Sequence, residues 1–162
     1  MRIANFIENK RLLFTWILAA GAAAGIFLAK SRWEQWPLIS TLFFASGCIL
    51  AGSASLGRLW CALYIAGYKD GVLVTEGPYS MSRNPLYFFN LFGAVGMGLA
   101  TETLLIPVMA LAGFALYYPG VIESEEERQA GLFPQHYESY RRRTPAFFPN
   151  FSLLAEPEQY VV

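Results

Sequence analysis

Four stretches of this chain, 12–29, 35–57, 84–101 and 103–122, contain no Asp, Glu, Lys or Arg. Each comes close to the roughly 20 apolar residues that cross a hydrocarbon core. An ordinary core helix carries a polar face that interrupts its apolar residues every turn, and these stretches have none. The expected fold is therefore all-α: a polytopic membrane bundle with transmembrane helices about 11–29, 37–57, 85–101 and 103–122. Cytosolic C-terminal helices about 123–143 complete a single domain over 1–162. Glu102 alone separates the last two stretches, so they form a tight helical hairpin.

The basic residues orient the bundle. Arg2, Lys10 and Arg11 precede the first crossing; Arg58, Lys69 and Arg83 fall between the second and third; Arg128, Arg141, Arg142 and Arg143 follow the fourth. The opposite side keeps only Lys30 and Arg32. Positive loops stay in the cytoplasm, which puts both termini and the central loop there, in a bacterial or archaeal inner membrane. The first apolar run is longer than a signal-peptide h-region and lacks a small-residue cleavage site, so it reads as a retained helix. Cys48 and Cys61 lie in or beside apolar segments and behave as small hydrophobes. With one histidine, His136, no metal site is expected, and no nucleic-acid partner is expected either.

Along the chain, residues 1–10 suit a short interfacial helix, and Trp33 and Trp36 suit the headgroup level. Gly47, Gly52, Ser53, Ser55 and Gly57 in the second stretch, and Gly93, Gly96 and Gly98 in the third, are small residues that let helices approach closely in lipid. Whether Arg58 onward continues the second helix or tilts away from it is open. Residues 72–75 read as a short extended piece. Pro119 is expected to kink the fourth helix toward the cytoplasmic face. Glu123 and Glu127 read as a solvated face. Phe133-Pro134 ends that helix, and 135–143 resumes with Tyr137 and Tyr140 on one side, before Thr144 to Pro149 closes the ordered part.

Two polar clusters stand out, and the orientation puts both in the same compartment. The first is 76–87, Glu-Gly-Pro-Tyr-Ser-Met-Ser-Arg-Asn-Pro-Leu-Tyr. Gly77-Pro78 is turn chemistry and Pro85 suits the first turn of a helix. Arg83 then lies at the mouth of that helix, either as an interfacial anchor or as the cation of a site. The second cluster, around Glu125 and Glu126, is too acidic to be buried without a cation.

Three motifs in this order resemble the isoprenylcysteine carboxyl methyltransferase and phospholipid methyltransferase family of integral membrane enzymes. Gly77-Pro78-Tyr79 with Arg83-Asn84-Pro85-Leu86-Tyr87 is similar to the family's Gly-Pro-Tyr and Arg-His-Pro-x-Tyr. Glu125-Glu126 ahead of Phe133-Pro134, Tyr137 and Tyr140 is similar to its glutamate pair and Phe-Gly-x-x-Tyr-x-x-Tyr. Phe147-Phe148-Pro149 matches its aromatic-aromatic-proline ending. Asn84 stands where the family has histidine, and Pro134 where it has glycine. The likeness covers roughly the C-terminal half, while the first two helices resemble the family only by hydropathy.

The resemblance implies S-adenosylmethionine bound at the cytosolic membrane edge and a methyl group passed to a lipophilic acceptor. That acceptor would be an isoprenylcysteine-like carboxylate, a phospholipid amine or a small hydrophobic acid or thiol. It implies Arg83 and Glu126 as catalytic residues. Cofactor contacts would come from Leu73, Val74, Tyr79, Arg83, Asn84, Pro85, Tyr87, Glu125, Glu126, Tyr137, Tyr140 and Phe147. The residue chemistry agrees: Arg83 suits a carboxylate, Glu125 or Glu126 an ammonium, and Tyr79, Tyr87, Tyr137 or Phe147 a purine. The alternatives are an NADPH-dependent enzyme of the sterol-reductase type and a non-catalytic membrane subunit on the same scaffold.

Overall fold

A computed structural model describes residues 21, 36–66 and 71–156 of the chain. The expected interfacial piece 1–10, Trp33 and the loop positions Lys69 and Asp70 lie outside the described residues. So does the first crossing, apart from Gly21, which is helical. The described residues form five α-helices and no strand: α1 (Pro37–Ile65), α2 (Pro78–Met81), α3 (Pro85–Ala100), α4 (Leu105–Leu132) and α5 (Pro134–Arg143), with a 3₁₀ turn at Phe151–Leu153. Helices α1, α2, α3 and α5 each start on a proline, whose fixed φ is set for a helix and whose missing N–H would be unpaired there anyway.

Two of these helices, α1 with 29 residues and α4 with 28, are long and apolar enough to cross a membrane. The 16 residues of α3 make a shorter apolar helix, about 24 Å long. Leu38, Leu42, Ile49, Leu56 and Leu63 of α1 and Val108 and Leu116 of α4 are exposed, as lipid-facing side chains of a bundle are. Arg58 does not begin a separate element, because α1 runs on unbroken to Ile65. Pro119 does not end the fourth helix: α4 carries it inside and continues to Leu132, so the acidic residues 123–127 extend the same helix. A proline removes one intrahelical hydrogen bond, and the unbroken turns on both sides keep the helix in one piece.

Helices α1 and α3 run antiparallel in backbone contact. A Cβ added at Gly47 would meet the Ala100 nitrogen at 2.4 Å, and one at Gly96 would meet the Ala51 nitrogen at 2.6 Å. Only glycine permits this approach, which is the small-residue packing anticipated for the seam. A turn over 101–104 then reverses the chain into α4. Its Glu102 adopts φ 58°, and its carboxylate accepts a hydrogen bond from Ser40 Oγ at the start of α1.

The C-terminal segment does not stop at Pro149. It runs back along 77–83: Arg83 N–H donates to Pro145 O at 2.9 Å, Asn150 N–H to Met81 O at 2.9 Å, and Gly77 N–H to Ala155 O at 2.7 Å. Ser82 Oγ donates to Phe147 O, and Ser80 Oγ accepts from Ala155 N–H. Met81, Ser82, Pro78 and Pro85 are buried beneath this strap.

Candidate functional site

Arg83 sits between α2 and α3, and its side chain reaches α4 and the strap together. Its Nε and Nη2 donate to the two oxygens of Glu126, both at 3.0 Å, and Nη1 donates to the carbonyls of Arg141 and Thr144 at 2.8 and 3.0 Å. The two side chains are only 10% and 16% exposed. The planar fork of a guanidinium matches a carboxylate in this two-bond geometry, and lysine has no equivalent. Asn84, buried, completes the cluster: Nδ2 donates to Glu126 Oε1 and to Ala146 O, each at 3.0 Å. The fold thus brings Arg83 and Glu126, far apart in sequence, together as each other's counter-charge.

Arg83 and Asn84 line one cavity and Glu126 a second, so this cluster is part of the wall of both. The smaller, about 440 Å³, lies among α1, 72–74, α3 and α4. It is lined by Leu73, Val74, Tyr79, Arg83, Asn84, Pro85, Tyr87 and Glu125, eight of the residues named from the sequence. The larger, about 820 Å³, follows α4 from Leu111 to Ala130, about 28 Å of helix. Leu91, Leu111, Phe114 and Phe147 make it apolar, and Glu126, Tyr137 and Arg141 line its polar part. Phe114 stacks on Tyr118 at 3.9 Å and meets Phe147 at 5.4 Å, which stiffens the aromatic side of this cavity. Glu123 and Glu127 are exposed and also line it.

Tyr137 and Tyr140 are both buried, with ring centroids 6.1 Å apart. Tyr140 lines neither cavity; its hydroxyl donates to Tyr79 O at 2.7 Å, so it braces the island. The Tyr137 hydroxyl lies beside Glu126 without closing a well-formed hydrogen bond. Burial first, and the Glu126 charge second, push its pKa up to about 12. Burial likewise raises Tyr79 and Tyr140, so all three are neutral hydroxyls at ordinary pH.

Sequence reasoning missed Arg58, Asn90 and Arg128, which line the small cavity too. Asn90 carried a signal, as the one side-chain amide inside the apolar run of α3. Its Oδ1 and the Tyr79 hydroxyl are buried without a hydrogen-bond partner among the described residues. Two residues lining one cavity thus each hold an enclosed polar atom without a partner, and such atoms cost about 1–3 kcal/mol each unless a bound polar group meets them.

An all-helical fold with two helices long and apolar enough to cross a membrane, and a paired charge cluster beside two cavities, defines the class. The phospholipid methyltransferase family matches residues 39–136, and the chain belongs to that family. It is 43% identical over 159 residues to the cobalt-zinc-cadmium resistance protein CzcN of Cupriavidus metallidurans, covering 98% of this chain and 72% of that one. It is 40% identical to the nickel-cobalt-cadmium resistance protein NccN of Alcaligenes xylosoxydans xylosoxydans, covering 98% and 73%. No solved structure matches the chain.

Proposed function

We propose that this protein transfers the methyl group of S-adenosylmethionine to a lipophilic acceptor at the cytosolic face of the membrane. The observation that carries the reading is the pair of cavities sharing the Arg83–Asn84–Glu126 wall. The small cavity suits the cofactor: its volume falls in the roughly 300–1,000 Å³ range of small-molecule sites, and it combines Tyr79 and Tyr87 with unpaired polar atoms. The large one suits an acceptor whose apolar part lies along α4 and whose reactive group reaches the Glu126 end.

When bound, the cofactor supplies an electrophilic methyl on sulfur. The chain's own part is alignment and exclusion of water, since a displacement of this kind asks for little else. Arg83 holds Glu126, and Asn84 holds it from a second side. Glu126 in turn lines the acceptor cavity beside Tyr137, where its carboxylate can pair with a positive charge on the acceptor. Family membership supports the activity. The names of the two relatives concern metal resistance, and we extend that setting to this chain as methylation of a membrane component rather than as metal carriage.

Purified protein in detergent, titrated with S-adenosylmethionine and separately with NADPH, tests the reading. Binding of the first and not the second is expected, together with transfer of labelled methyl into the organic-soluble fraction of membranes. That transfer should be lost in Glu126→Gln. NADPH binding alone would convert the reading to a reductase, and binding of neither would leave a scaffold without catalysis.

A further inference from the structure

An amino-acid zwitterion bound in the small cavity needs a cation for its carboxylate, and Arg83, the obvious choice from the sequence, is already engaged. Four of its five N–H groups are committed to Glu126 and to the carbonyls of Arg141 and Thr144. Arg128 is held by Glu125 at 2.9 Å. Arg58 also lines the cavity and has no acidic partner among the described residues.

Its depth makes this notable. Arg58 sits seven residues before the end of α1 at Ile65, about 10 Å along the helix from its cytosolic end. Arginine on a membrane helix faces water, a partner or a ligand. The α1–α3 seam fixes what it stands beside. Gly47 lies against Ala100, Gly96 against Ala51 and Gly57 against the Phe89 ring, an antiparallel register that sets Arg58 level with Phe89 and Asn90. Asn90 lines the same cavity, and its enclosed Oδ1 has no hydrogen-bond partner among the described residues.

The geometry points to Arg58 and Asn90 as the receptor for the α-amino-acid end of the cofactor, a role that rests on the methyl-transfer reading. The guanidinium of Arg58 donates to the carboxylate, and Asn90 Oδ1 accepts from the ammonium. Arg83 and Glu126 are thereby released from cofactor charge recognition to their work in the wall.

Two ligands separate the possibilities: S-adenosylhomocysteine, and 5′-methylthioadenosine, which keeps the nucleoside and thioether but lacks the amino-acid end. Their dissociation constants are measured on the wild type, Arg58→Ala and Arg58→Lys in detergent. Arg58→Ala is expected to weaken S-adenosylhomocysteine by about 10- to 100-fold, the worth of charge-assisted hydrogen bonds, while 5′-methylthioadenosine changes by less than about twofold. Arg58→Lys should recover part of the loss. Equal affinity in wild type and Arg58→Ala would overturn the assignment and leave the methyl-transfer reading intact. So would an equal loss of both ligands in the variant. A wild type that binds neither ligand removes the methyl-transfer reading and this one with it.

Discussion

At Asn84 the chain places an amide where its family has histidine, and the geometry shows what the amide does. One nitrogen donates twice, to Glu126 and to Ala146 O. A ring nitrogen of neutral histidine carries one proton and can serve only one of these acceptors. Asn84→His is therefore expected to hold Glu126 and lose the strap contact, and Asn84→Ala to lose both, at about 1–3 kcal/mol by thermal unfolding in detergent. The Arg83–Glu126 pair is more demanding. Removing one partner leaves a poorly solvated charge, about 3–5 kcal/mol, so Arg83→Ala is expected to unfold early as well as lose activity. Arg83→Lys, which retains the charge and loses the two-bond fork, is the cleaner probe.

The tyrosines set a pH limit. Tyr137 ionises at about 12 in the folded protein, against 10.0 for a free tyrosine, with burial the larger cause. A raised folded pKa gives stability that is complete below the unfolded value and is lost as pH rises through the folded one. Stability is accordingly expected to be flat up to about pH 10 and to fall between about 10 and 12. Thermal melts across that range check this, and Tyr137→Phe should make the fall shallower. Arg83 and Glu126 could be singled out from the sequence because their types and motif positions announced them. Arg58 could not, because which face of α1 it occupies depends on a register that two glycines set, and Asn90 was marked only as a lone amide in an apolar run.

At the scale of the elements, the glycines of the α1–α3 seam divide into two kinds. Gly96 touches backbone, whereas Gly52, on the same helix as Gly47, has open space where a Cβ would go. Gly96→Ala must push the helices apart and is expected to cost about 1–3 kcal/mol, as overpacking does. Gly52→Ala should be neutral or stabilising by up to about 1 kcal/mol, through helix propensity alone. Paired melting curves of the two variants decide it. Composition made these helices legible, since absent charge is read directly, and the hairpin around Glu102 was equally plain. The unbroken passage of α4 through Pro119 was not. A proline removes one intrahelical hydrogen bond, and the helical turns on both sides of the exposed Pro119 carry α4 on to Leu132.

For the whole molecule, the bundle and the strap make one assembly in which residues far apart in sequence share a site. Helix α4 carries the chain from the turn at 101–104 to the acidic end at 123–127, so those two ends are expected on opposite sides of the membrane. Reporter fusions within 101–104 and after Arg143 should report opposite compartments, and the same compartment for both would remove α4 as a span.

Arg83 waits for the chain behind it. The carbonyls that take its Nη1 belong to Arg141 and Thr144, 58 and 61 residues further on, and Ser82 reaches 65 residues ahead to Phe147. During synthesis, α1, α3 and all of α4 are made before any of these partners exists. The wall between the cavities is thus completed only after α1, α3 and α4, and just the end of the strap, out to Ala155, follows it. Until those residues are made, Arg83 lacks the carbonyls that hold its Nη1, and the long helices are complete before the site is.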